Sequence, residues 1–291
     1  TTAEIQTLVN SYAAILAEAN GSAADATPTT DPTATDYSNI GVTGVDSAAK
    51  ASLLGDVIGD KVAADVDTVA EVQTLANAVS AVMSAAAATT PTGPTLAQLQ
   101  ALGMTGVTAD NLAAVQKAIA GTADDGTGAD TVAELQALVN GVNSAVSSIS
   151  TAAQANNADA NLTTVAVFDK AGVVGVNINN LSAVNSALNS ADVTATQTDT
   201  TPEVQDLVNA YITVLALADG GSNVGTAASA LQYSLIGVQG ISTATVGATS
   251  VSTSSKASLL SDIIDKKAFT TVDTVAEVQA LADMVCNVML A

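Results

Sequence analysis

The stretch "DTVAELQALV" at residues 130–139 decides how the rest of the chain reads, because copies of it keep returning. They are "DTVAEVQTLA" at 67–76, "DTTPEVQDLV" at 199–208, "DTVAEVQALA" at 273–282 and a clipped "TTAEIQTLV" at 1–9. The copies are anchored on Glu4, Glu71, Glu134, Glu203 and Glu277 and recur every 63 to 74 residues. In each, a threonine stands three residues before the glutamate. That spacing lets the Thr hydroxyl accept from the third helical N–H while the Glu carboxylate reaches back to the cap's own N–H. The pairs are Thr1/Glu4, Thr68/Glu71, Thr131/Glu134, Thr200/Glu203 and Thr274/Glu277. Pro202, in the fourth copy, falls in the first turn, where a missing N–H is harmless. Only Glu18 among the glutamates lies outside these boxes. The glutamates therefore read as structural caps, each worth about 1 kcal/mol, and not as catalytic acids.

Between the copies lies a second phrase: "IGVTGV" at 40–45, "LGMTGV" at 102–107, "AGVVGV" at 171–176 and "IGVQGI" at 236–241. Four residues before its first glycine stands Tyr37, Leu99, Phe168 or Tyr233, always large and apolar. A third segment follows: "AAKASLLGDVI" (48–58), "ADNLAAVQKAI" (109–119), "INNLSAVNSAL" (178–188) and "SSKASLLSDII" (254–264). Two anchors, an aromatic register and a third segment in step define an internal repeat. Apolar residues at three- and four-residue steps, such as Leu135, Leu138, Val139, Val142, Val146 and Ile149, give the opening motif a helical period. The second segment is a short helix closed by glycine, and the third is a helix with Leu112, Val115 and Ile119 on one face. Period-two alternation is not sustained, so strands are not expected.

The expected fold is all-α: a tandem array of about four three-helix units plus the opening helix of a fifth. The boundaries fall at 1–66, 67–129, 130–198, 199–272 and 273–291. A larger duplication is also visible, since "EIQTLVNSYAAILAEANGS" (4–22) matches "EVQDLVNAYITVLALADGGS" (203–222) and "KASLLGDVIGDK" (50–61) matches "KASLLSDIIDKK" (256–267). The fourth unit carries a Ser/Thr-rich insertion near 242–252, whose Val/Thr alternation allows a small β excursion; an exposed loop is the expectation. The chain stops one helix into the fifth unit, which leaves an opening-type helix at each end.

Composition narrows function. The 291 residues carry 28 acids against seven lysines, with no Arg or His, for a formal charge of −21. A nucleic-acid partner needs cations to displace condensed counterions and is disfavoured, as is an anionic membrane surface. The longest apolar runs, such as "AYITVLALA" (210–218), fall short of the roughly 20 residues of a membrane span. Imidazole chemistry is absent, no phosphate-cradling glycine loop follows a strand, and nearly every polar feature recurs, whereas an active site is usually singular. The chain reads as non-enzymatic. Cys286 is the single cysteine; it reads as a packed thiol, with an interchain disulfide as the alternative. Calcium is the candidate cofactor, since "ADDGTGAD" (123–130) sets Asp124, Asp125 and Asp130 around two glycines, loosely like a hard-cation loop. Acids ahead of a helix are also what its dipole favours, and capping outweighs calcium in this reading.

The run at 96–139, through "LGMTGVTADNLAAV" and "DTVAELQALV", resembles the α-helical repeats found in tandem within very large bacterial surface proteins and adhesins. The resemblance implies an exported, extracellular or cell-surface role after signal removal, and it carries no catalytic residues across. Two functions follow as expectations. One is a structural subunit that polymerises into a filament or surface layer, a homopolymer growing head-to-tail through its N- and C-terminal helices. The other is a monomeric stalk or binding module of an adhesin that presents loops to a glycan or surface ligand.

Overall fold

The computed structural model describes residues 1–21, 31–86, 93–122, 126–155, 163–222, 226–241, 244–246, 249–251 and 253–290. Among these residues it is all-α but for one small hairpin. In chain order the helices are α1 (Thr2–Glu18), α2 (Ala34–Asn39), α3 (Ala48–Gly59), α4 (Val69–Ala86), α5 (Leu96–Ala101), α6 (Leu112–Ala120) and α7 (Val132–Ala155). They continue as α8 (Val165–Lys170), α9 (Leu181–Leu188), α10 (Thr201–Leu217) and α11 (Ala230–Leu235), then α12 (Thr253–Asp265) and α13 (Val275–Leu290). Long helices start at every copy of the decapeptide, and a six-residue helix precedes every Gly-x-x-Gly phrase.

Between α11 and α12 the strands β1 (Ala244–Val246) and β2 (Thr249–Val251) pair antiparallel, Thr245 opposite Ser250. This corrects the expectation of a loop without strands. Short runs of small, hydroxyl-bearing and β-branched residues, Ala-Thr-Val against Thr-Ser-Val, suffice for a three-residue ladder, although they are too short to register as a sustained period.

The chain divides into two compact units, residues 1–143 and 144–291, with the division inside α7. Each has its own apolar core. The first is built on Tyr37, Leu53, Leu54, Ile58, Val72, Val79, Leu99, Val115, Ile119, Leu135 and Val139. The second is built on Ile149, Phe168, Val184, Leu188, Val204, Val208, Tyr211, Tyr233, Leu260, Ile264 and Val278. The residue four before each first glycine (Tyr37, Leu99, Phe168, Tyr233) is fully buried in every case. The Tyr233 hydroxyl lies 2.9 Å from Ser261 Oγ, and burial pushes its pKa up to about 12. Tyr37 is buried with its hydroxyl unpartnered among the described residues, and that burial holds its pKa far above the usual tyrosine value.

The short helices are held at their N-terminal ends. Thr33, Thr95, Thr164 and Ser229 cap α2, α5, α8 and α11, each accepting from the third helical N–H. The medium helices α6, α9 and α12 anchor the segment just ahead of those caps. Gln116 Nε2 donates to the Pro94 carbonyl at 3.0 Å, Asn185 Nδ2 to that of Thr163 at 3.0 Å, and Ser261 Oγ accepts from Ala228 N–H at 3.1 Å. The long-range duplication also has a structural counterpart. Isolated antiparallel bridges join Asn20 to Val62 and Asp219 to Ala268.

Candidate functional site

The Thr/Glu pairs sit at helix starts with the geometry of caps. Thr68 N–H donates to Glu71 Oε2 at 3.0 Å, and Glu71 N–H donates to Thr68 Oγ1 at 3.3 Å. Thr200/Glu203 and Thr274/Glu277 repeat this within 0.1 Å. At Thr131/Glu134 the hydroxyl donates to the carboxylate at 3.0 Å and accepts from Glu134 N–H at 3.2 Å. Thr1 and Glu4 pair in the same sense on α1. These glutamates are engaged with their own helix ends.

Asp130, Asp199 and Asp273, each just ahead of a cap, press on the same carboxylates. Burial, then the Glu134 carboxylate, pushes the Asp130 carboxyl up from its ordinary value, and burial with Glu277 does the same to Asp273. At Asp199 the contact with Glu203 leads. Of the candidate calcium ligands, Asp130 is thus turned toward Glu134, while Asp124 and Asp125 lie outside the described residues. Among the described residues no group of three or more acidic, Cys or His side chains is arranged to hold a metal.

The most distinctive arrangement joins each long helix to the preceding Gly-x-x-Gly turn. Two residues after each capping glutamate stands a glutamine: Gln73, Gln136, Gln205 and Gln279. Its Oε1 accepts the backbone N–H of Thr43, Thr105, Val174 or Gln239 at 2.8, 2.9, 2.8 and 2.7 Å. Its Nε2 donates to the carbonyl of that same residue at 3.1, 3.1, 3.0 and 3.3 Å. One amide side chain thereby pairs with both polar groups of a single turn residue, as a neighbouring strand would. Nε2 also donates one helical turn on, to Asn77, Asn140, Asn209 or Asp283, at 2.8–2.9 Å, which fixes the amide's orientation.

The second glycine of each turn completes the junction. Gly44, Gly106, Gly175 and Gly240 have φ of +86°, +76°, +91° and +81°, the left-handed region that L side chains avoid. A Cβ on them would come within 2.8–3.1 Å of Ser80, Asn143, Ile212 or Cys286, all nine residues after a capping glutamate. Their carbonyls are satisfied by side chains. Ser80 Oγ reaches Gly44, Asn111 and Asn143 reach Gly106, Asn180 reaches Gly175, and buried Lys256 reaches Gly240, at 2.8–3.1 Å. Cys286 is half-buried with its Sγ 3.1 Å from the Gly240 carbonyl, so its position is set by this junction.

The glutamine was not singled out from sequence, although "E-[IVL]-Q" stands in all five decapeptide copies. Apolar periodicity ignores an exposed polar position, and only its constancy across the copies marked it. The fifth copy differs. Gln6 donates to Asn10 at 2.9 Å, the same pair as elsewhere, but no turn residue meets its Oε1 among the described residues. Ile5, Leu8 and Val9 are 66%, 48% and 49% exposed, whereas their counterparts Val72, Leu75 and Ala76, or Val204, Leu207 and Val208, are buried. On α13 the complementary face is bare: Met284 and Val288 are 51% and 71% exposed, where Ala78 and Val82 or Ala210 and Val214 are buried.

A separate cleft of about 880 Å³ lies within the second unit, lined by Thr163, Ser182, Asn185, Ser186, Asn189 and Ser190 among others. Ser186 Oγ accepts from Val275 N–H at 2.8 Å, and Asn189 Oδ1 is buried without a partner. Its hydroxyls and amides stand beside the Asp192 carboxylate and the apolar side chains of Ile178, Leu181 and Val275, so it can hydrogen-bond a polar ligand that also presents an apolar face.

Comparison of the chain with family models, with curated proteins and with solved structures finds no match. No helix among the described residues is long and apolar enough to cross a membrane.

Proposed function

We propose that this chain is a non-enzymatic structural component of an extracellular or cell-surface bacterial assembly. It is a tandem array of three-helix units, in which each unit seats the next through the glutamine–glycine junction, with further copies added through α1 and α13. The observation that carries this reading is the recurrence of one junction at four turns. The same helix face, covered in α4, α7, α10 and α13, stands uncovered on α1. An array of like units offers like surfaces for stacking, and a contact between unlike ends grows an open fibre unless its rotation closes a ring. The resemblance to repeats of large surface proteins and adhesins supports the extracellular placement.

The charge of −21 opposes association at low ionic strength. Assembly should therefore strengthen with salt and with divalent cations, calcium included. Sedimentation velocity of the purified chain at rising concentration, with negative-stain micrographs, tests the proposal. Species that lengthen with concentration are expected. A monodisperse monomer at millimolar concentration would sink the polymer and favour the second reading, a stalk or ligand-binding module of an adhesin. The cleft, which sets hydroxyls and amides among apolar side chains, supports as that module's ligand a glycan, whose rings offer apolar faces and polar rims.

A further inference from the structure

We infer that the cleft beside α9 is a saccharide site, built for a short chain of neutral pyranose rings. The inference rests on the binding reading above, whose site it names, and it does not depend on whether copies assemble.

In a chain whose polar features recur, α9 stands apart. Its run "LSAVNSALNS" (181–190) sets Ser182, Asn185, Ser186, Asn189 and Ser190 at three- and four-residue steps, which places them on one face. The matching segments of the other repeats carry charge on that face. Where α9 has Ser186 and Ser190, the α3 segment has Asp56 and Asp60, and the α12 segment has Asp262 and Lys266. The α6 segment has Lys117 and Gly121 at those places, so hydroxyls at both are peculiar to α9. Ile178 departs in the same way. Its counterparts are Ala48, Ala109 and Ser254, all small, yet the isoleucine is 84% exposed and lines the cleft. A position that three repeats fill with small residues has no packing need for isoleucine, and here the side chain stands in water.

The walls are held without a ligand. Asn185 Nδ2 donates to the Thr163 carbonyl at 3.0 Å, and its Oδ1 accepts from the Thr163 hydroxyl at 2.5 Å. Ser186 Oγ accepts from Val275 N–H at 2.8 Å, which ties α9 to the start of α13 and leaves the Ser186 hydroxyl its own proton to donate. A preformed site of this kind spares the ordering cost of binding. Along α9 the serines at 182, 186 and 190 rise by about 6 Å per step, a rail of hydroxyls and not a point site.

A pyranose ring matches this mixture, since its C–H faces pack on aliphatic groups while its hydroxyls both donate and accept. Ile178, Leu181 and Val275 supply the aliphatic groups, and the exposed Asp192 carboxylate accepts from ring hydroxyls. Asp192 is the single charged residue among those lining the cleft, and the chain carries −21, so acidic sugars are repelled. The volume of about 880 Å³ falls among pockets that bury ligands larger than one ring.

Methyl spectra of the full chain, labelled at Ile, Leu and Val and titrated with maltotriose or chitotriose, test the inference. At least one trisaccharide should shift the methyls of Ile178, Leu181 and Val275, and trigalacturonate should leave them in place. Ile178→Ala, which restores the residue of two counterpart segments, should weaken binding about fivefold, and Asp192→Ala about tenfold. Both positions are exposed, so circular dichroism should show each variant folded as the parent is. The site is overturned if neither neutral trisaccharide moves these methyls up to about 10 mM, or if shifts scatter over the chain. It is equally overturned if both variants bind as the parent does, or if trigalacturonate binds as well as the neutral sugars. A chain that binds and stays monomeric keeps the site and loses the polymer, while a polymer whose cleft methyls never move does the reverse.

Discussion

Phe168→Ala is expected to destabilise the second unit by about 3–5 kcal/mol, the range for emptying a buried aromatic site. For a unit of this size that lowers the melting transition by on the order of 10 °C. Phe168 is fully buried on α8 and meets a core made largely of Ala and Val. With only two phenylalanines and no tryptophan in 291 residues, few neighbours are large enough to close over the hole. Phe168→Leu should retain much of the stability, because Leu99 fills the corresponding site in the first unit while fully buried. Thermal melts of the two variants against the parent check both statements. Equal losses for Leu and Ala would show that the ring's shape, and not its volume, is what the site requires.

Gly237→Ala is the second large effect, at about 2–4 kcal/mol, and its origin is backbone and packing together. Gly237 has φ of +87°, and a Cβ there would stand 2.1 Å from Ser190 Oγ and 2.6 Å from Ser190 Cβ. Rotating the hydroxyl relieves the first contact but not the second, so the chain just after α9 has to move. Gly220, in the same unit, has φ of +80° and meets nothing within 4 Å. Gly220→Ala should show only the conformational part, about 1–2 kcal/mol. The difference between the two melts isolates the close approach. Matching losses at 237 and 220 would contradict the packing argument.

Sequence reading located the elements but not the contacts between them. The helix starts were legible because a capping box writes its donors and acceptors three residues apart, within one segment. The aromatic register at Tyr37, Leu99, Phe168 and Tyr233 was legible because a buried large residue recurs in step with a glycine. The glutamine clamp was not, since Gln73 and Thr43 lie thirty residues apart and neither is apolar. Once the pairing of turn and helix is known, the constancy of Gln two residues after each capping Glu becomes its signature. The small strand pair at 244–246 and 249–251 lies in a Val/Thr-rich stretch too brief to outweigh a loop. Cys286 read as a packed thiol; the specific reason for its place, the nearness of Gly240, needed the fold. The role of Lys256 was hidden for a similar reason. Lys50, its sequence counterpart, makes an ion pair with exposed Asp46 at 2.7 Å, whereas Lys256 is buried and bonds the Gly240 carbonyl.

One junction, a glutamine clamp on a Gly-x-x-Gly turn, is made four times among the described residues, and α1 carries the same glutamine with no described turn residue against it. Amide hydrogen exchange of the full chain below its assembly concentration tests this directly. The backbone amides of Thr43, Thr105, Val174 and Gln239 should be protected together, well beyond open-loop rates, while the amides of Ile5–Val9 exchange faster than their counterparts in α4 and α10 and slow down on assembly. Turn amides that exchange as open loops, or an α1 as protected as α10 in the monomer, would contradict it.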